Sequence, residues 1–139
     1  MKRSMLVLAA ALFTVTVAHA QDTMKKIKDS GAVTMGVRES SGALSFTLGD
    51  GKYVGFHVEV CQRALADVQK QLGMAKLDIK YQAVTSQNRI PLVQNGTVDI
   101  ECGSTTNNAT RQKDVAFAPT TYVEEVRIAV KADSNITSI

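Results

Sequence analysis

The sequence predicts an α/β fold, a mainly parallel sheet with helices on both faces. Two observations predict it. Apolar, β-branched runs alternate with segments of helical spacing along most of the chain. Gly31, Gly73 and Gly96 fall where the helices of that pattern should end.

Thr23–Ser30 (TMKKIKDS) reads as a short helix stopped by Gly31, and Ala32–Val37 (AVTMGV) as an apolar strand. Leu44–Leu48 and Lys52–Val54 flank Gly49-Asp50-Gly51, a hairpin signal of the Asp-Gly type. Phe56–Leu72 places Phe56, Val60, Ala64, Leu65, Val68 and Leu72 near helical spacing. Leu77–Val84 (LDIKYQAV) alternates apolar and polar, as a half-buried strand does. A second helix is expected around Arg89–Gln94, with Pro91 near its first turn, because a deeper proline removes a hydrogen bond and clashes with the preceding turn. Val98–Cys102 reads as a short strand and Asn108–Asp114 as a helical turn or two. Val115–Ala118 and Thr121–Val130 are apolar and β-branched and read as extended.

The first twenty residues stand apart. Lys2 and Arg3 precede the apolar run Met5–Val17, and Ala18-His19-Ala20 has the small-x-small pattern of a cleavage site. A cleavable export signal is expected over 1–20, and the apolar run is shorter than the ~20 residues of a spanning helix. Export points to a periplasm or extracellular space. With Lys2 and Arg3 set aside, 14 basic residues face 13 acidic ones. No basic stripe or aromatic interleaving is present, so nucleic-acid binding loses its electrostatic support. The remaining length suits one domain rather than two.

Cys61 and Cys102 can pair with each other, remain buried thiols, or pair outside this chain. The sequence alone leaves these open, with a buried thiol the plainer reading of Cys61. There is no CxxC and no Cys/His cluster, so no metal site and no cofactor are expected. His57 is the single histidine beyond the leader.

In a parallel sheet, ligands bind outside the carboxyl ends of the strands. Three segments fall there: Arg38–Ser41, Thr85–Arg89 and Gly103–Arg111. Each carries hydroxyls and one arginine. An arginine fork binds a carboxylate or phosphate through two charge-assisted bonds, and the hydroxyls add donors. The set suits a small anion with more than one acidic group. Plainer readings stand beside this one. Ser86, Thr106 or Asn108 can be helix caps, the arginines can be solvated charges, and Glu39, Asp99 and Glu101 can neutralise them. The run after Cys102 lacks the G-x-x-x-x-G-K of a phosphate loop. G-x-S-x-G is absent and His57 opens a helix, so a Ser-His-Asp arrangement is not expected.

The stretches GVRESSGALSF (36–46), TSQNRIPLVQNGTVDIECGSTTNN (85–108) and RQKDVAFAPT (111–120) resemble the periplasmic solute-binding proteins of polar amino-acid ABC transporters, especially the glutamate/aspartate-binding members. The resemblance implies the first lobe of a two-lobed, hinge-closing receptor that captures an amino acid for a membrane permease, without catalysis. It implies that Arg111 clamps the ligand α-carboxylate and that Ser104 and Thr106 add hydrogen bonds. Arg38 and Arg89, with Ser86, would receive a side-chain carboxylate. It further implies a lobe over 21–130, a crossing beginning at 131–139, a monomer, and a second lobe beyond. Two rivals are an enzyme on the same scaffold, such as a periplasmic dehydratase using Glu39 or Glu101, and a sensory or interaction module.

Overall fold

The computed structural model describes residues 20–125 and 127–136. The expected export signal therefore lies outside the described residues, except for Ala20. Among the described residues there are three helices: α1 (Ala20–Ser30), α2 (Phe56–Gln71) and α3 (Arg89–Gln94). The strands are β1 (Ala32–Val37), β2 (Phe46–Gly49), β3 (Lys52–Val54), β4 (Asp78–Ala83) and β5 (Ile100–Glu101). Single 3-10 turns follow at Gly42–Leu44 and Arg111–Lys113.

β1, β4 and β5 form a parallel sheet in the order β4-β1-β5, and β2 and β3 form a separate antiparallel hairpin. The central position of β1 explains its apolar sequence, since a strand in the middle of such a sheet meets side chains on both faces. Val33, Met35 and Val37 point to one face, where Ile27 of α1 and Val58 and Leu65 of α2 complete the core. Gly36 faces the other way. A Cβ there would lie 2.9 Å from Val98 Cγ1 and 3.4 Å from Val84 Cγ1, so the two valines fill its place. The Val98 amide bonds the Leu92 oxygen, which anchors α3 on this second side.

The chain crosses from β1 to β4 in one direction and from β4 back past β1 to β5 in the other. Right-handed crossovers then put α2 and α3 on opposite faces, and the reversal creates a crevice at the carboxyl end of β1. Backbone bonds continue the ladder past the short β5, from the Asp99 amide to Thr34 and from the Cys102 amide to Gly36.

Three expectations change. The buried face of α2 keeps Leu65 and Leu72 of the expected stripe and adds Val58 and Cys61, while Phe56 is left 47% exposed and Ala64 is exposed too. The core meets a narrower face of the helix than the apolar positions alone suggest. Cys61 and Cys102 form a disulfide, 41 residues apart in sequence with Cα atoms 6.3 Å apart. Cys61 sits on the flank of α2 that crosses the end of β5, a proximity no local pattern encodes. Val115–Ala118 and Thr121–Val130 form no strand among the described residues. Their composition supplies propensity, but a strand exists only as a paired ladder, and Val123 and Ile128 are exposed.

Candidate functional site

The three strand-end segments do converge. Arg38 follows β1 directly, and its amide donates to the Ser45 hydroxyl at 2.9 Å. Ser45 is fully buried and donates back to the Arg38 carbonyl oxygen, which fixes the bend leaving the strand. The Arg38 guanidinium spreads over the rim. Nε donates to Ser41 Oγ (3.2 Å), Nη1 to the Val84 oxygen (2.9 Å) and Nη2 to Ser86 Oγ (3.3 Å). All three acceptors are neutral, so they orient the group without cancelling its charge. Ser86 thus accepts from an arginine, and the reciprocal turn bonds before α3 are made by Thr85 and Asn88, each amide donating to the other's side chain.

Ser104 joins the third segment to the first through a hydroxyl–hydroxyl bond to Ser41 (2.8 Å). Between them, Gly103 permits the close approach. A Cβ at 103 would lie 2.4 Å from Arg38 Cγ and 2.5 Å from Glu101 Oε1. A cavity of about 570 Å³ opens over this rim, lined by Ser41, Leu44, Phe56, Ser104 and Tyr122 among others.

Arg89, at the start of α3, is 6% exposed. Its Nη1 lies 3.9 Å from Glu101 Oε1, too long for a hydrogen bond. Arg89 Nε and Nη1, Glu101 Oε1 and Thr105 Oγ1 are all buried and make no hydrogen bond within the chain. They face a second cavity of about 440 Å³. Burial pushes the Arg89 pKa down, Glu101 opposes that, and Arg111 and Arg38 push it down further. The last two causes are the repulsion of like charges by Arg89, and Glu101 is the acid beside it. Asp99 is engaged elsewhere, with Lys26 (2.7 Å) and the Thr34 amide (2.8 Å). Among the described residues, neither Arg38 nor Arg111 has an ion-pair partner.

Arg111 lies in the 3-10 turn. Its Nη1 donates to the Thr106 oxygen (2.9 Å), and its amide donates to Asn108 Oδ1 (2.9 Å). Asn108 therefore caps this turn, the plainer of its two readings. Thr106 contributes its carbonyl oxygen to Arg111 and leaves its own side chain exposed. Ser41 and Gly103 lay within the expected strand-end segments without a role of their own, and sequence reasoning missed Ser45 and His57. Only His57 carried a visible signal, as the lone histidine beyond the leader. Among the described residues, no group of three His, Cys, Asp or Glu side chains could hold a metal, and no helix is long and apolar enough to cross a membrane.

Known proteins share this chain's pattern. It is 44% identical over 133 residues to the L-glutamate/L-aspartate-binding protein of Pseudomonas aeruginosa, covering 94% of this chain and 44% of that one. It is 43% identical over 117 residues to the glutamate/aspartate import solute-binding protein of Escherichia coli, covering 84% of this chain and 39% of the other. The crystal structure of AncCDT-1, an ancestral amino acid-binding protein and precursor of cyclohexadienyl dehydratase, matches with a TM-score of 0.55 at 28% identity. That match covers 66% of this chain and 37% of the other. The chain thus spans about two-fifths of the length of these relatives. Residues 33–137 match the family model of the bacterial extracellular solute-binding proteins, family 3, and the chain belongs to that family.

Proposed function

We propose that this lobe captures a dicarboxylic amino acid, glutamate or aspartate, for the membrane permease of an ABC importer. One observation carries the reading: at the strand-end rim Arg38 is oriented by neutral acceptors alone and, like Arg111, has no ion-pair partner among the described residues, while Glu101 faces Arg89. Two charges there lack a matching acid, which is what a ligand with two carboxylates requires. The names of the two bacterial relatives specify the same pair of ligands.

In this reading Arg111 clamps the α-carboxylate, and Ser104 and Thr106 add hydrogen bonds. Arg38, Arg89 and Ser86 receive the side-chain carboxylate. Residues 1–20 are a cleavable leader that sends the protein to the periplasm, 21–130 are the ligand-binding lobe, and 131–139 begin a crossing to a second lobe. The protein acts as a monomer and has no catalytic role. Of the two acids a dehydratase could use, Glu101 faces the buried Arg89 guanidinium and Glu39 is exposed to solvent.

Calorimetry of single variants tests the division of labour. Arg111→Ala should weaken glutamate, aspartate and glutamine alike, by about ten- to a hundredfold, the worth of one charged hydrogen bond of roughly 1.5–3 kcal/mol. Arg38→Ala and Arg89→Ala should chiefly weaken the two dicarboxylates. Arg38→Ala is the cleaner probe, because it leaves the buried Arg89–Glu101 pair intact. Equal losses for all ligands from all three variants would refute the assignment.

A further inference from the structure

His57 is the second residue of α2, one turn before Cys61. Its ring nitrogens reach two separate parts of the chain. Nδ1 bonds the Gly103 carbonyl oxygen, and Nε2 lies 2.8 Å from Thr121 Oγ1. A carbonyl oxygen only accepts, so Nδ1 carries the proton. In the neutral ring Nε2 is then the acceptor, and the Thr121 hydroxyl donates to it. The same ring meets Tyr122 edge-on, with centroids 6.5 Å apart.

The segment held in this way has few other ties. Among the described residues, 116–130 makes no backbone–backbone hydrogen bond to the rest of the chain. The side-chain tie to it from outside, among the described residues, is the His57 ring bond to Thr121. The other end of the bridge is firmly placed. Gly103 packs against Arg38 and precedes Ser104, and the adjacent Cys102 is covalently joined to Cys61 on the same helix.

We propose that His57 is a positioning residue that couples the floor of the site, at Gly103–Ser104, to the outgoing segment at Thr121–Tyr122. Displacement of the floor on ligand capture then moves the outgoing segment in register with it. The bridge stands on the geometry alone; its role in capture rests on the proposed amino-acid site.

Nuclear magnetic resonance of the ¹⁵N-labelled chain from Gln21 tests both parts, since His57 is then the only histidine. The neutral ring should show Nδ1 protonated and Nε2 bare. The opposite tautomer overturns the bridge. Asparagine reproduces the position of Nδ1 and glutamine that of Nε2. Backbone order parameters at Thr121 and Tyr122 should therefore stay near the rigid value of about 0.85 in the wild-type chain and in His57→Gln. They should fall toward about 0.6 in His57→Asn and His57→Ala. Unchanged order in all three variants overturns the proposal. Added L-glutamate should shift the Ser104 and Tyr122 amides together in the wild-type chain, and Ser104 alone in His57→Asn. A wild-type shift at Ser104 without one at Tyr122 overturns the coupling. No shift at either counts against the amino-acid site, and the ligand-free order parameters still decide the bridge.

Discussion

Gly103 shows how much of the site depends on one missing carbon. Its absent Cβ would fall within 2.5 Å of both the Arg38 stem and the Glu101 carboxylate, so any side chain there must push apart two groups of the crevice. Gly103→Ala should destabilise the fold by about 1–3 kcal/mol, as overpacking does. It should also weaken glutamate binding by about tenfold, through displacement of Arg38. Thermal unfolding and titration of the same variant check both effects, and full affinity with lowered stability would separate Gly103 from the site. At this scale the sequence was partly legible. Hydroxyls and an arginine at each strand end were visible because residue type and position are local facts. The partners were not. Of Glu39, Asp99 and Glu101, Asp99 pairs with Lys26 and Glu101 alone faces an arginine. The last two share a strand face, so the difference comes from which neighbour each meets along the strand, a contact distant in sequence. Ser86 likewise looked as suited to capping a helix as to holding Arg38, and only the folded rim distinguishes the two.

At the scale of elements, alternation and glycine stops placed α2, α3, β1 and β4 to within a residue or two, since each is written in a local period. The Cys61–Cys102 bond, and the lack of strand pairing beyond Val115 among the described residues, depend on contacts distant in sequence. That bond closes a loop of 41 residues and ties α2 to the end of β5, beside Gly103 and Ser104. Chain-entropy arguments give about 4 kcal/mol for a loop of this length, and measured bonds commonly contribute about 2–4 kcal/mol. The double variant Cys61→Ser, Cys102→Ser should therefore lower the unfolding free energy by about 2–4 kcal/mol in denaturant titrations. A thiol reductant should produce the same loss in the wild-type chain and none in the variant. Equal stability of the two proteins would show that helix and strand are held by packing alone.

At the scale of the molecule, a sheet of three strands among the described residues reverses its direction of travel at β1 and so opens a crevice at the strand ends that Arg38, Arg89 and Arg111 follow or flank. The chain covers about two-fifths of its relatives' length, and the crevice lies on the portion it shares with them. On the proposed function, its surplus of positive charge should separate a dicarboxylate from a neutral amide of the same shape. Calorimetric titration of the chain from Gln21 with glutamate, aspartate and glutamine reads that separation. Glutamate or aspartate should bind at least about tenfold more tightly than glutamine, the worth of one charged hydrogen bond, and the margin should shrink with added salt. Glutamine binding as tightly as both acids would contradict the account.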